Sequence, residues 1–300
     1  MAKTAATDAP YRATDRAVPT PSAAPGNSVL AQLLAKARPL QRPLVMGVVN
    51  VTPDSFSDGG RFLQPAAAIE HARRLVAEGA DIIDVGAEST RPYGGAVAVS
   101  RDEERARLAP ILPAAVALGI PVSIDTQKAA VAAWALEAGA AIVNDVWGLQ
   151  RERDMARVVA EHGATIIIMH NRETADPAID IIAEVTEFFS RSLEIAWAAG
   201  IPHDRIVLDP GIGFGKTPEQ SLACIARLDA WRDFDVPLLV GASRKRFINS
   251  IVPSEPMERL GGSLAAHLAA AENGAAIIRA HDVAPTVQAL AVAAAIRHAR

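Results

Sequence analysis

Polar side chains that could do chemistry recur along this 300-residue chain, each set directly after a short apolar run. A single polar residue in such a place is often only the N-cap of the next helix. Eight such positions in succession are hard to explain as caps alone, and they predict a shared site. The positions hold Asn50, Asp84 with Glu88, Asp125, Asn144 with Asp145, His170 with Asn171, Asp209, Ser243 with Lys245, and Arg279 with His281.

The types of these residues indicate what the site could bind. Asp125, Asn144 and Asp209 offer carboxylate and amide oxygens, and a buried carboxylate has to be paired or hydrogen-bonded. A planar ligand edge with adjacent N–H donors, such as a guanidine or an aminopyrimidinone, would meet that need. The last two positions offer Lys, Arg and His side chains, which could hold an anion such as phosphate.

The apolar runs and the stretches between them predict the elements that position this site. Eight runs are short, rich in Val and Ile and apolar almost throughout, which is typical of parallel strands buried on both faces. Ala- and Leu-rich stretches with helical spacing follow them, and several end in a glycine suited to a helix C-cap. These glycines are Gly79, Gly119, Gly139, Gly163, Gly200 and Gly274.

Eight strand–helix units predict an α/β fold, a (β/α)8 TIM barrel, in which all strand ends point to one face. A doubly wound open sheet is the alternative, although it rarely uses eight such units without a second domain. Residues 1–27 are rich in Ala, Pro, Thr and Ser without periodicity, and we expect a disordered tail there. The pattern is uniform from 28 to 300, so we expect a single catalytic domain over these residues.

Composition argues against several classes of protein. The formal net charge is −4 and aromatic residues make up 4%, so neither a basic stripe nor a stacking platform for nucleic acid is indicated. Cys224 is the single cysteine, which rules out an internal disulfide, and we expect it to be a small buried hydrophobic residue. No apolar run reaches the roughly 18 residues of a membrane helix, and no signal-peptide segment is evident. We therefore expect a cytoplasmic protein without membrane contact.

Some apparent motifs fail on inspection. PGIGFGKT at 210–217 is like a P-loop, but Pro210 stands where the first glycine is required. Its glycines instead predict a tight loop that lets the backbone approach a ligand. The seven histidines show no zinc-ligand spacing, and no G-x-S-x-G motif for a serine nucleophile occurs. We expect His170 at the rim of the site and not as a metal ligand.

Longer strings of the sequence resemble the dihydropteroate synthase family. Two loop signatures of that family are matched by MGVVNVTPDSFSDGG at 46–60 and GAESTRPYG at 86–94. Further blocks occur in the family's order, so that the resemblance spans nearly the whole chain from about residue 44. These blocks are SIDT (123–126), VND (143–145), LDPGIGFGK (208–216), GASRKRFI (241–248) and RAHDV (279–283).

The resemblance implies a TIM barrel and a transferase of folate biosynthesis. In that family the amine of p-aminobenzoate displaces pyrophosphate from 6-hydroxymethyl-7,8-dihydropterin pyrophosphate and gives 7,8-dihydropteroate. The family also implies Mg²⁺ with the pyrophosphate, a homodimer, and sulfonamides as competitors. Because the electron-rich dihydropterin can delocalise cationic character on the reacting carbon, no protein nucleophile is required. Catalysis would then depend on positioning and electrostatics.

The resemblance further implies roles for individual residues. The residues expected to hold the pterin ring are Asp125, Asn144, Asp209 and Lys245. Those expected to hold the pyrophosphate are Arg279, His281 and Asn50, with Asn50 at the metal. Those expected to form the p-aminobenzoate site are Phe214, Ser243 and Lys245.

Two glycine-rich loops add further expected residues: Asp58 lies in the segment 52–60, and Thr90 and Arg91 lie in the segment 89–95. We expect both loops to close over bound ligand, with Asp58 near the cationic carbon and Arg91 near an anion. Closure would exclude water, which would otherwise capture a carbocation-like intermediate. Asp58, Arg91 and Lys245 are the expected catalytic residues.

Two other functions remain open from the sequence. A methyltetrahydrofolate methyltransferase would share the barrel and the pterin site, but it needs a corrinoid partner. It would not need Arg279 with His281, or the loop at 243–245. A non-catalytic paralogue that binds a pterin-like ligand is the other alternative; the filled motif positions weigh against it without proving turnover.

Overall fold

Eight parallel strands form the centre of the protein. The structure is a computed structural model that describes residues 28–51, 63–88 and 99–299. Seven of the eight strands begin with an apolar residue, and four of them end on a polar one. After the other four, a polar residue that the sequence predicts for the site follows within one to three positions. They are β1 Leu44–Asn50, β2 Ile82–Gly86, β3 Val122–Asp125, β4 Ile142–Asp145, β5 Thr165–Met169, β6 Ile206–Asp209, β7 Leu239–Val240 and β8 Ile277–Ala280.

The sheet curves into a barrel. Its strands are hydrogen-bonded in the order β6-β5-β4-β3-β2-β1-β8-β7. An isolated parallel bridge between Leu208 of β6 and Leu238, just before β7, joins the two ends of that order. Because β1 pairs with both β2 and β8, the first and last strands are neighbours. The predicted (β/α)8 barrel is therefore confirmed, and the doubly wound open sheet is wrong.

Helices surround the barrel. Short 3₁₀ helices at Arg38–Leu40, His203–Arg205, Leu228–Phe234 and Pro256–Glu258 supplement the α-helices. In the described part of the chain, no helix combines the length and apolar character needed to cross a membrane. The α-helices are α1 Val29–Ala37, α2 Leu63–Ala77, α3 Arg101–Leu108, α4 Leu112–Val116, α5 Ala129–Glu137, α6 Met155–Glu161, α7 Ile181–Ala198, α8 Pro218–Ala226, α9 Arg246–Ile251, α10 Leu260–Glu272 and α11 Val283–His298.

The helix ends follow the predicted glycines. All six have positive φ, between +60° and +105°. Glycine adopts this left-handed conformation without the steric penalty of a Cβ, which is why it ends helices so often. The sequence therefore placed these helix ends correctly.

Helix α1 closes the amino-terminal end of the barrel. Its side chains Leu30 and Leu33 pack in one buried cluster with the first residues of several strands, among them Ile82 and Ile142. Ser28 caps this helix, because its Oγ accepts a hydrogen bond from the backbone N of Ala31 at 3.1 Å. The opposite end, where the strands finish, is left for a site. The tail predicted at 1–27 lies outside the described residues, so its boundary stays a prediction.

A second and larger apolar cluster fills the space between strands and helices. It contains strand residues such as Val85 and Ile124 and helix residues such as Phe189. Cys224 is buried in it, as predicted. The strands are thus covered on both faces, which explains their nearly continuous apolar sequences.

Candidate active site

The carboxyl ends of the strands open into one cavity of about 1230 Å³. This is the end of a TIM barrel at which active sites are built. Asp58, Thr90 and Arg91 lie outside the described residues. The other predicted site residues all line the cavity: Asn50, Asp125, Asn144, Asp209, Phe214, Ser243, Lys245, Arg279 and His281.

An ion-pair network lies on the floor of this cavity. Arg279 extends from β8 across the barrel, and its Nε donates to Oδ2 of Asp84 at 2.7 Å. Its Nη2 donates to Oδ2 of Asp125 at 3.0 Å. Nδ2 of Asn144 donates to the same Oδ2 of Asp84 at 3.3 Å. Arg279, which the sequence assigned to the anion, is thus bonded to residues of the pterin side.

Burial makes the carboxyl groups of the cavity weak acids. Burial raises the pKa of Asp125 to about 7, and the nearby carboxylate of Asp84 adds to the shift. Burial likewise raises the pKa of Asp209 to about 6. Although burial opposes it, the carboxylates of Asp84 and Asp125 raise the pKa of Arg279, which stays charged. Carboxyl groups that titrate this close to neutral pH are typical of functional sites.

Several oxygens of the ion-pair network lack a hydrogen-bond donor among the described residues. Oδ1 of Asp84, Asp125 and Asn144 are buried and have no hydrogen-bond partner among the described residues. Oδ1 of Asp209 accepts from the backbone N of Gly211 at 2.7 Å. A buried acceptor without a partner costs about 1–3 kcal/mol, so the arrangement favours a ligand that supplies N–H donors.

The loops after β7 and β8 are fixed to each other. Oγ of Ser243 lies 3.0 Å from Nδ1 of His281 and also accepts from the backbone N of His281 at 3.2 Å. Arg244 has a φ of 58° and donates from Nε and Nη2 to Asp282 at 3.0 and 2.6 Å. These contacts fix the conformation of the loop after β7. Lys245 is the next residue of this loop, and it lines the cavity.

Phe214 and Lys245 form one wall of the cavity. Nζ of Lys245 lies 4.1 Å from the centre of the Phe214 ring. An ammonium group within about 6 Å of an aromatic ring centre is attracted to its face. The loop after β6 and the loop after β7 therefore meet in a wall that is aromatic and cationic at once.

His170 is not at the rim, so that prediction is wrong. The residue is completely buried, and the backbone of Gly211 packs directly on its carbonyl oxygen, where a Cβ would collide. Nδ1 of His170 lies 2.6 Å from Nζ of Lys216. The turn after β6 covers the end of β5, and this contact between loops cannot be inferred from the position of a histidine in the sequence.

Asn50, which the resemblance implies as the metal ligand, ends β1 and lines the cavity. Among the described residues, no group of three or more His, Cys, Asp or Glu side chains could hold a metal ion. Mg²⁺ usually keeps several waters and takes one or two protein oxygens together with substrate phosphates. A single amide oxygen at the cavity wall fits a Mg²⁺ ion that arrives with a pyrophosphate.

Three residues acquire a place in the site that the sequence did not assign. The sequence places Asp84 at a strand end but gives it no role. Arg244 stands between two assigned residues, and Lys216 follows the glycine-rich loop at 211–215. Their partners lie 38 to 195 residues away in the chain, so that local patterns could not reveal the contacts.

The chain is similar to known pterin enzymes over most of its length. The family model described as "Pterin binding enzyme" matches residues 46–281. Dihydropteroate synthase of Bacillus subtilis (strain 168) is 43% identical over 244 residues, which are 81% of this chain and 85% of that protein.

Solved structures agree with this similarity. A crystal structure of dihydropteroate synthase from Clostridium difficile, in the presence of pteroic acid, has a TM-score of 0.82 and 44% identity, covering 85% of this chain and 97% of that one. The Yersinia pestis enzyme in a sulfonamide drug complex has a TM-score of 0.80 and 40% identity, covering 86% of this chain and 96% of that one. The chain therefore belongs to the pterin-binding enzyme family and, within it, to the dihydropteroate synthases.

Proposed function

We propose that this chain joins 6-hydroxymethyl-7,8-dihydropterin pyrophosphate to p-aminobenzoate, with release of 7,8-dihydropteroate and pyrophosphate. One observation carries the proposal: buried acceptors on β3, β4 and β6 and cationic side chains after β7 and on β8 face the same cavity. A pterin presents N–H donors along one edge, and its pyrophosphate carries negative charge. A single substrate therefore satisfies both sets of groups.

The pterin ring occupies the floor of the cavity. Asp125, Asn144 and Asp209 accept from its N–H groups, and Lys245 reaches it from the wall. Support comes from the buried Oδ1 atoms of Asp125 and Asn144, which have no partner among the described residues. Because Arg279 is tied to Asp84 and Asp125, it links the ring site to the site of the leaving group.

p-Aminobenzoate binds at the wall formed by Phe214, Ser243 and Lys245. Its ring packs on Phe214, and its carboxylate is attracted to the ammonium of Lys245. Sulfonamides, which have a similar aromatic amine, compete for this place. The existence of a sulfonamide drug complex of the similar Yersinia pestis enzyme supports sulfonamides as ligands.

The reaction forms one N–C bond and breaks one C–O bond. The amine nitrogen attacks the methylene carbon, the bond from that carbon to pyrophosphate breaks, and the amine gives up a proton. Arg279 and His281 bind the departing pyrophosphate, and Asn50 would hold the Mg²⁺ ion. When bound, Mg²⁺ neutralises negative charge that develops on the leaving group. The described residues bind and orient the substrates, which is the main source of rate in such reactions.

The loops at 52–60 and 89–95 lie outside the described residues, and their part in the reaction is an expectation from the sequence. We expect Asp58 to act near the cationic carbon and Arg91 near the anion, with Thr90 as a further substrate-binding residue. Closure of both loops over bound substrate would exclude water, so that the cationic carbon reacts with the amine. The proposal includes a homodimer, for which the support is the family resemblance, and a cytoplasmic location, for which the support is the sequence.

A product assay with both substrates and Mg²⁺ tests the proposal and separates it from its alternatives. The proposed enzyme forms dihydropteroate and pyrophosphate in equal amounts, and only when all components are present. A non-catalytic paralogue binds the pterin without product. A methyltransferase instead transfers a methyl group from methyltetrahydrofolate to a corrinoid protein. Either of these two results contradicts the proposal.

A further inference from the structure

Lys216 is a buried cation at the edge of the cavity. Its side chain is only 3% exposed, and Nζ donates to the carbonyl oxygens of Gly211 at 3.0 Å and Phe214 at 3.2 Å. Its third contact is Nδ1 of His170, 2.6 Å away at the end of β5. Burying an ammonium group is costly, so these three contacts must repay a large loss of hydration.

The three contacts define the protonation of the pair. An ammonium group has three N–H donors, and each of the three partners can accept one. With Lys216 charged, Nδ1 of His170 is the acceptor and the proton is on Nε2, which has no hydrogen-bond partner among the described residues. Burial and the charge of Lys216 lower the pKa of His170 far below its ordinary value, in agreement with a neutral imidazole.

The carbonyls that Lys216 binds are the two ends of a tight turn. The backbone N of Phe214 donates to the carbonyl oxygen of Gly211 at 3.0 Å, which closes the turn. Gly211 packs on the carbonyl of His170, with no space for a Cβ. The ring of Phe214 stands on this turn and faces Lys245. The position of Phe214 therefore depends on how the turn is held against the end of β5.

We propose that Lys216 is a positioning residue for the second substrate: its ammonium group binds the Gly211–Phe214 turn to His170 and thereby places the Phe214 ring where p-aminobenzoate packs. The inference rests on the proposed function for the identity of that substrate. The geometry of the turn is independent of the proposed function. A different role, as the acceptor of the amine proton, would require Lys216 to be neutral before the reaction. Burial lowers the pKa of Lys216 to about 8, which leaves the ammonium form in excess at neutral pH, and the carbonyl oxygens of Gly211 and Phe214 accept from it.

Substitutions at both ends of the contact test this role. Lys216→Met removes the ammonium group and keeps the length of the side chain. His170→Leu removes the acceptor at Nδ1 together with the ring, whereas His170→Asn removes the ring and keeps an acceptor oxygen near that place. Both His170 variants lose the edge-on ring contact with Phe188, at 4.8 Å between centroids, so comparing them isolates the hydrogen bond.

Steady-state kinetics with both substrates varied gives the decisive readout. We expect KM for p-aminobenzoate to rise about tenfold or more in Lys216→Met and His170→Leu, and to stay within about threefold in His170→Asn. Affinity for 6-hydroxymethylpterin, measured by calorimetry, should change less, because Asp125 and Asn144 lie on β3 and β4, away from the turn. If Lys216→Met does not fold, the two His170 variants alone decide the matter.

Other outcomes overturn the inference. An unchanged KM for p-aminobenzoate in Lys216→Met contradicts it. So does a lower kcat at constant KM with a changed pH profile, which would make Lys216 a proton acceptor. If the unmodified enzyme forms no dihydropteroate, the proposed function fails separately. A crystal structure of Lys216→Met then still tests the geometry, because a turn in its original position would refute the role of Lys216.

Discussion

Arg279 and Asp84 form an ion pair inside the barrel, with 2.7 Å between Nε and Oδ2, although 195 residues separate them in the chain. The pair connects β8 to β2 across β1, and a second contact of Arg279 reaches Asp125 on β3. The guanidinium is therefore held by two carboxylates before any ligand binds. This arrangement fixes its direction at no further entropic cost during binding, which is the advantage of a pre-organised site.

Replacing Asp84 by Asn should weaken both the fold and the site. Asp84 is fully buried, and its replacement by Asn leaves Asp125 as the carboxylate that pairs with Arg279 among the described residues. Removing one partner of a buried pair typically costs about 3 kcal/mol or more of unfolding free energy. We expect KM for the pterin pyrophosphate to rise as well, since Arg279 can turn away. Urea denaturation and steady-state kinetics measure the two effects.

Asp81→Asn is the matched control. Asp81 pairs with Arg42 at 2.8 Å, but at the opposite end of the barrel. This variant should lose stability and leave KM unchanged. Equal KM values in the Asp84 and Asp81 variants would mean that Asp84 has no part in binding.

The buried carboxyl groups should make stability depend on pH. Burial raises the pKa of Asp125 from 3.8 to about 7 and the pKa of Asp209 from 3.8 to about 6. Between the lower and the raised pKa of each group, the folded protein therefore binds more protons than the unfolded chain. Their contribution to stability is therefore present at low pH and is lost as pH rises towards 7. His170 and His267, whose pKa values burial lowers, contribute a slope of opposite sign. The quantity to measure is therefore the difference in unfolding free energy between wild type and variant at each pH.

Denaturation of Asp125→Asn and Asp209→Asn from pH 4 to 8 isolates that contribution. The stability of each variant relative to wild type should increase by about 2 kcal/mol or more as pH rises through this range, because the variant carries no buried charge. Asp229→Asn, which changes an exposed carboxylate, is the control variant. A flat difference for the buried residues would mean that their carboxyl groups titrate as in the unfolded chain.

Pterin binding should release protons, and Asp209 should account for part of them. N–H donors of the ring favour the ionised carboxylate, which lowers its pKa on binding. Calorimetry of 6-hydroxymethylpterin at pH 6.5, in buffers with different ionisation enthalpies, counts the protons. Asp209→Asn should reduce that count and cost about 2–4 kcal/mol of binding, since a donor then faces a donor.

Asp145→Asn is suited as the control for Asp209. Burial raises the pKa of Asp145 to about 6 as well, but its oxygens accept from the backbone N of Trp147 and Leu149. We expect this variant to lose stability and to keep pterin affinity. Full pterin affinity in Asp209→Asn would remove that residue from the ring site.

The two loops outside the described residues should matter for turnover more than for binding of the first substrate. We expect Asp58→Ala and Arg91→Ala to keep pterin-pyrophosphate affinity within about 1 kcal/mol, as for an ordinary surface change. Turnover should fall by about 10²-fold or more, as when a positioning group is lost. Calorimetry should detect p-aminobenzoate binding only after the pterin. Tight binding of p-aminobenzoate to the empty enzyme would rule out loop closure as we describe it.

Periodicity and strand-end chemistry predicted the barrel, because both are local in the sequence. Parallel strands that are buried on two faces require nearly continuous apolar sequence, and left-handed residues at helix ends favour glycine. Asn144 and Asp209 could be assigned to the cavity because a barrel directs every strand end to one face. No contact between distant side chains was needed for these predictions.

The internal contacts of the site could not be predicted in the same way. The bonds of Arg279 to Asp84 and Asp125 depend on which side chains cross the barrel interior. The burial of His170 depends on how the loop after β6 packs on the loop after β5. Both are relations between loops or strands that are remote in sequence, and they are set by the closed barrel and not by residue type.

The barrel has a weak joint between β6 and β7, where few hydrogen bonds connect the two strands. β7 has only two residues, and β6 meets it through the bridge from Leu208 to Leu238 and a hydrogen bond from Leu208 N to the carbonyl of Pro237 at 3.0 Å. Amides at this joint should exchange hydrogen with solvent sooner than those of β3 or β4, because few bonds must open. Asp209 and Ser243 lie on its two sides, just above it. Substrates that contact both residues would hold the joint closed, so ligand binding should slow exchange there most.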